Sequence, residues 1–155
     1  MALSFNFIEI LGSGKLALSE RPKLKEVKNL VPAGCDRVVT ILAGKGEQAH
    51  KIGEAVVNNG MAWEWLKVSH ATELSTEEKR HFKIVVDEIY QRILENESVL
   101  VHCSAGLHRT GMFAYAILRK GGCSKEEAMS KVREIRPETF EALESKYLNL
   151  AEELY

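Results

Sequence analysis

Cys103 is the residue of this sequence best placed to do chemistry, because of what surrounds it. It stands second in His102-Cys103-Ser104-Ala105-Gly106-Leu107-His108-Arg109-Thr110-Gly111, directly after the apolar run Val99-Leu100-Val101. A strand ending at His102, a compact loop and a helix opening near Arg109 form a geometry that suits an anion. Backbone N–H groups of a tight loop converge on one point, and a helix N-terminus adds positive potential. The same surroundings, loop amides and a helix N-terminus, are of the kind that stabilise a thiolate. Arg109 adds a planar fork of donors that matches two phosphate oxygens, which lysine does not. Gly106 lets the backbone take conformations closed to other residues. The Thr110 hydroxyl lies close enough in sequence to donate to the Cys103 sulfur. The set supports nucleophilic attack on phosphorus, with Ser104, Ala105, Gly106, Leu107, His108 and Arg109 cradling the oxygens. A cysteine after an apolar strand is usually just a small buried hydrophobe. Gly106, Arg109, Thr110 and Gly111 at these offsets weigh against that reading.

The rest of the chain must position this loop. Its 155 residues fit a single domain spanning 1–155, with a hydrophobic share of 45% sufficient for a core. Apolar runs predict strands at Phe5–Ile8, Leu16–Leu18, Arg37–Leu42, Ala62–Val68 and Val99–His102. Val38-Val39-Thr40-Ile41-Leu42 lacks alternation, as expected of a strand covered on both faces. Helical periodicity is clearest over 76–96, where Ser75 and Glu78 have capping-box spacing. Ser124 with Glu127 opens a second helix that runs to about Arg136, and Pro137 breaks it. Further helices are expected over 138–154, 22–31, 47–59 and 110–120, with Gly44 and Gly46 turning between a strand and a helix. Trp63 and Trp65 share one strand face, chiefly as core. The expectation is an α/β fold: a central mixed sheet of four to five strands with helices on both faces. The site then lies at the C-terminal end of the strand finishing at His102.

A net charge of -1 argues against nucleic acid or an anionic membrane as partner. Three cysteines do not make a disulfide framework, and the N-terminus does not read as a signal peptide. A cytoplasmic monomer without membrane insertion is the expectation. Cys35 and Cys123 read as inert thiols, and Lys45, Arg119, Lys120 and Arg133 as surface charge or a basic rim.

His102-Cys103-x-x-Gly106-x-x-Arg109-Thr110-Gly111 resembles the signature of the cysteine-dependent protein tyrosine phosphatases, and the short chain is similar to their dual-specificity branch. Val132-Arg133-Glu134-Ile135-Arg136-Pro137 resembles the helix and Arg-Pro turn that buttress the phosphate loop in that family. Gly14-Lys15-Leu16-Ala17-Leu18-Ser19 and the strand after Gly34 resemble it as well. The resemblance implies a phospho-cysteine intermediate on Cys103, phosphate binding by Arg109 and a hydroxyl role for Thr110. It implies no metal or other cofactor, and a phosphorylated protein or peptide as substrate. His102 reads as a residue that orients the loop through backbone hydrogen bonds.

One departure is plain. Relatives carry an acidic aspartate on the loop before the long helix, whereas that loop here, Trp65 to Ser75, has none. Glu73 keeps a carboxylate near the expected position. His70 offers an imidazole, a group that titrates near neutrality. His108, inside the phosphate loop, occupies the position of a loop-borne aspartate in myotubularin-like relatives. A fourth possibility is no dedicated acid. Two rival functions follow: hydrolysis of a non-protein phosphate such as a phosphoinositide or an RNA 5′ end, and phosphate recognition with little turnover.

Overall fold

The computed structural model describes residues 2–155. The apolar runs assemble into one sheet: β1 (Ile8–Glu9), β2 (Lys15–Ser19), β3 (Arg37–Ile41), β4 (Ala62–Leu66) and β5 (Ser98–His102). Their order is β1-β2-β5-β3-β4, with only β1 antiparallel to its neighbour. β5 is thus central, and both Ser19 and Thr40 stand in register with His102. All four parallel strands end on the edge where the loop after β5 begins.

Side-chain alternation divides the core in two. Leu16, Leu18, Val39, Ile41, Val99 and Val101 face one layer of helices. That layer holds α2 (Thr76–Leu94), α3 (His108–Lys120), α4 (Lys125–Ile135), α5 (Pro137–Ala142) and α6 (Ser145–Ala151). Ala17, Val38 and Leu100 face the other side, covered by α1 (Ala49–Asn58) and a 3₁₀ segment at Leu24–Leu30. The expected mixed sheet with helices on both faces is what the chain forms. α3 is buried from Thr110 through Leu118, as suits a helix enclosed on all sides. Both capping boxes are made: Ser75 with Glu78, and Ser124 with Glu127.

Three elements differ from the sequence expectation. β1 lies at Ile8–Glu9 instead of Phe5–Ile8, because a tight turn at Leu11 and Gly12 leaves only two residue pairs with β2. Phe5 and Phe7 instead meet edge to face against the α1 side of the core. The stretch expected as a helix over 22–31 winds as a 3₁₀ segment. The expected helix over 138–154 divides into α5 and α6 at Leu143, whose backbone is extended and whose side chain rests on Gly111 of α3. Tertiary packing there overrides a continuous helical period.

The chain end is tied back onto α3. The buried Tyr115 hydroxyl donates to Glu152, as do Arg119 Nε at 3.0 Å and the Tyr155 hydroxyl. Burial pushes the Glu152 pKa up, but these donors together outweigh it and leave the carboxyl at about 2. Among the described residues, no helix is long and apolar enough to cross a membrane.

Candidate active site

The loop between β5 and α3 is held from behind by groups that the sequence motif does not contain. Gly106 has φ 72°, and a Cβ there would run into the backbone of Ser19 and Glu20. The Arg21 amide donates to the Ser104 carbonyl at 2.9 Å. Arg136 Nη1 donates to the Gly106 carbonyl at 2.8 Å, and the Thr139 hydroxyl donates to the same oxygen at 2.6 Å. Because a trans peptide is planar, a carbonyl fixed on one side turns the following N–H to the other. Arg136 therefore does what the resemblance implied for the Arg-Pro turn, and Thr139 shares that work.

The cavity in front of the loop is lined by Ser69, His70, Ala71, Cys103, Ser104, Ala105, Leu107, His108 and Arg109. Cys103 is almost wholly buried at its base. Thr110 is fully buried, and its hydroxyl has no hydrogen-bond partner among the described residues. An orphaned buried hydroxyl is costly, and a thiolate or a bound oxyanion is the kind of acceptor that would satisfy it.

Arg109 is anchored by an acidic residue that the sequence reading did not single out. Its Nη1 donates to Glu47 Oε1 at 2.9 Å and to the Val68 carbonyl at 2.9 Å, and its Nη2 reaches Glu47 Oε2 at 3.3 Å. Glu47 Oε1 also accepts from the Ala43 amide at 2.7 Å. Arg109 beside it holds the Glu47 carboxyl below the usual carboxylate range. Arg21 Nη1 donates to the Glu47 carbonyl and so fixes the turn that carries it. The available signal was topological: Glu47 follows β3, and parallel strands deliver their C-terminal loops to one edge.

His102 is fully buried and makes two hydrogen bonds. Its Nδ1 lies 2.9 Å from the Cys103 carbonyl and its Nε2 lies 2.8 Å from Thr40 Oγ1. Burial holds the imidazole pKa down at about 4, with Arg21 and Arg109 adding to the effect. A carbonyl oxygen accepts only, so the neutral ring carries its proton on Nδ1.

The structure separates the three candidates for the acid. His70 and His108 both line the cavity with Cys103. His108 is stacked on Tyr147, with centroids 4.3 Å apart and rings within 13° of parallel. Glu73 lines the adjoining hollow with Ser69, His70, Leu74, Ser75 and Glu78. Arg119 pairs with Glu152, Lys120 with Asp87, and Arg133 lies over Phe140, and none of these three lines the cavity. Burial raises the thiol pKa of Cys35, to about 11, and that of Cys123. Among the described residues no three His, Cys, Asp or Glu side chains converge on a point where a metal ion would sit.

The family model for "Dual specificity phosphatase, catalytic domain" matches residues 47–148, from Glu47 through the loop to α6. The chain belongs to the dual specificity phosphatase family. No relative matches among the curated proteins. Among solved structures, this phosphatase is similar to kinase associated phosphatase with its catalytic-site cysteine changed to serine. The TM-score is 0.78 and the identity 15%, over 99% of this chain and 94% of that one. It is also similar to the active form of Tk-PTP, with a TM-score of 0.71 and 23% identity over 94% of each chain. A third is the core catalytic domain of the Saccharomyces cerevisiae PP-IP phosphatase SIW14, in complex with citrate. There the TM-score is 0.69 and the identity 14%, over 99% of this chain and 85% of that one. These likenesses concern the fold.

Proposed function

We propose that this phosphatase hydrolyses phosphate monoesters through a phospho-cysteine on Cys103, without a metal ion. The observation that carries the reading is the joint lining of one cavity by Cys103, the loop and Arg109, with Glu47 aligning the guanidinium. The Cys103 thiolate attacks phosphorus, and the bond to the leaving oxygen breaks as that oxygen takes a proton. Water then attacks the phospho-cysteine, loses a proton and returns the thiolate with inorganic phosphate. Turnover of an aryl phosphate in EDTA tests this, with acid quench of labelled substrate. Wild type is expected to turn over and to retain covalent label, and Cys103→Ser to do neither. A serine variant as active as wild type would sink the reading.

We assign the proton to His70, which lines the cavity with Cys103 where Glu73 does not, and which is free of the stacking on Tyr147 that holds His108. His70→Ala is expected to slow hydrolysis of an alkyl phosphate by about a hundredfold and of an activated aryl phosphate only slightly. Equal losses on both would move the role to Glu73 or His108, tested as Glu73→Gln and His108→Ala.

A phosphorylated protein or peptide suits the site better than a polyphosphorylated small molecule. The cavity holds one guanidinium and no lysine among its lining residues, whereas several clustered phosphates call for several cations.

A further inference from the structure

The hydrogen bonds around His102 continue away from the cavity, along the α1 face of the sheet to its edge strand. Trp63 on the edge strand β4 donates from Nε1 to Thr40 Oγ1 at 2.8 Å. Thr40 is fully buried on β3 and lies 2.8 Å from His102 Nε2. His102 Nδ1 is 2.9 Å from the carbonyl of Cys103. The direction of each bond follows from donor chemistry. An indole only donates, and a carbonyl only accepts. The Cys103 carbonyl therefore requires the proton on Nδ1, which leaves Nε2 as an acceptor. Thr40 must then donate its single proton to Nε2, and one of its lone pairs receives the Trp63 N–H.

We infer that Trp63 is a positioning residue for catalysis, holding the Thr40 hydroxyl so that His102 keeps its Nδ1–H tautomer and fixes the peptide that carries the nucleophile. The inference rests on the phospho-cysteine reading for its catalytic consequence. With the indole on its oxygen, Thr40 presents its proton toward the ring. An imidazolium would turn an N–H toward Thr40 instead and strand the hydroxyl proton in a buried strand. Arg21 and Arg109, the charged groups acting on the ring, oppose that form as well. The indole is wedged in place: a Cβ on Gly53 of α1 would overlap the six-membered ring of Trp63. Close approach of α1 to β4 at Gly53 thus seats the first donor of a chain that ends at the catalytic loop.

The test has two readouts. Nitrogen-15 chemical shifts of the His102 ring report the tautomer with no turnover needed. Wild type is expected to show Nδ1 protonated and Nε2 bare at pH 7, and Trp63→Phe to show averaging between tautomers. On an aryl phosphate, Trp63→Phe is expected to lower kcat about tenfold with KM within twofold. Thr40→Val is expected to match that loss and Thr40→Ser to restore most of it. Adding Trp63→Phe to Thr40→Val should then cost little more, because both substitutions cut the same chain. Additive losses, or a wild-type ring protonated on Nε2, overturn the inference. Inactive wild type with Nδ1 protonated would instead overturn the phosphatase reading and leave the tautomer assignment standing. If Trp63→Phe does not fold, the threonine pair and the wild-type spectrum decide alone.

Discussion

Arg109→Lys is expected to lower kcat/KM on an aryl phosphate by about a thousandfold, a loss near 4 kcal/mol of transition-state stabilisation. The arrangement around the guanidinium sets this size. Glu47 and the Val68 carbonyl engage Nη1, and Glu47 also reaches Nη2. Among the described residues Nε makes no hydrogen bond, so that edge of the fork stays available to two phosphoryl oxygens. A lysine keeps the charge but presents one nitrogen, which cannot bond Glu47 and two equatorial oxygens in fixed directions at once. Glu47→Gln serves as the contrast. The amide still accepts from Arg109 through its oxygen but loses the charge and one acceptor, and a loss of about tenfold is expected, mostly in KM. Steady-state kinetics of the two variants, with melting temperatures within a few degrees of wild type, check the pair. An Arg109→Lys enzyme retaining a tenth of its activity would mean that charge alone suffices, and the fork geometry would carry no weight.

The parts of this site legible in the sequence are those in which partners lie close along the chain. The offsets from Cys103 to Gly106, Arg109 and Thr110 are local, and so are the two capping boxes. The strand behind the loop follows from its apolar run. What the sequence did not disclose depends on strand order. Glu47 meets Arg109 across 62 residues because β3 and β5 are neighbours, and Thr139 reaches Gly106 across 33 because α5 folds back under the loop. The path from Trp63 through Thr40 to His102 crosses three adjacent strands, and no periodicity in the chain announces it. The break between α5 and α6 was hidden for a related reason, since the side chain that interrupts the helix does so by packing on α3. Telling the position of Glu73 from those of His70 and His108 needed the course of the loop after β4. That course brings His70 to the wall of the Cys103 cavity as well as of the adjoining hollow, and Glu73 to the hollow alone.

Gly106→Ala is expected to abolish turnover, to below about 1% of wild type, and to eliminate measurable binding of inorganic phosphate. Two costs fall on the alanine. The first is the left-handed backbone at φ 72°, which costs an L-residue about 1–2 kcal/mol. The second is larger and has no cheap escape, because the new methyl meets backbone atoms of Ser19 and Glu20 in place of a flexible side chain. β2 cannot yield easily, being laddered to β5 with Ser19 opposite His102. The loop must move instead, which breaks the bonds from Arg136 and Thr139 to the Gly106 carbonyl. A displacement of about 1 Å in a positioned catalytic group costs on the order of a hundredfold by itself, and here several donors shift together. Gly12→Ala separates the two costs: its φ is 70°, but a Cβ there meets nothing within 4 Å. That variant is expected to lose about 1 kcal/mol of stability and to keep full turnover. Calorimetric titration with phosphate, thermal melts and kinetics on both alanine variants settle the matter. If Gly106→Ala binds phosphate like wild type, the tight turn at Gly106 is not what shapes the anion site, and the cradle must be sought elsewhere along the loop.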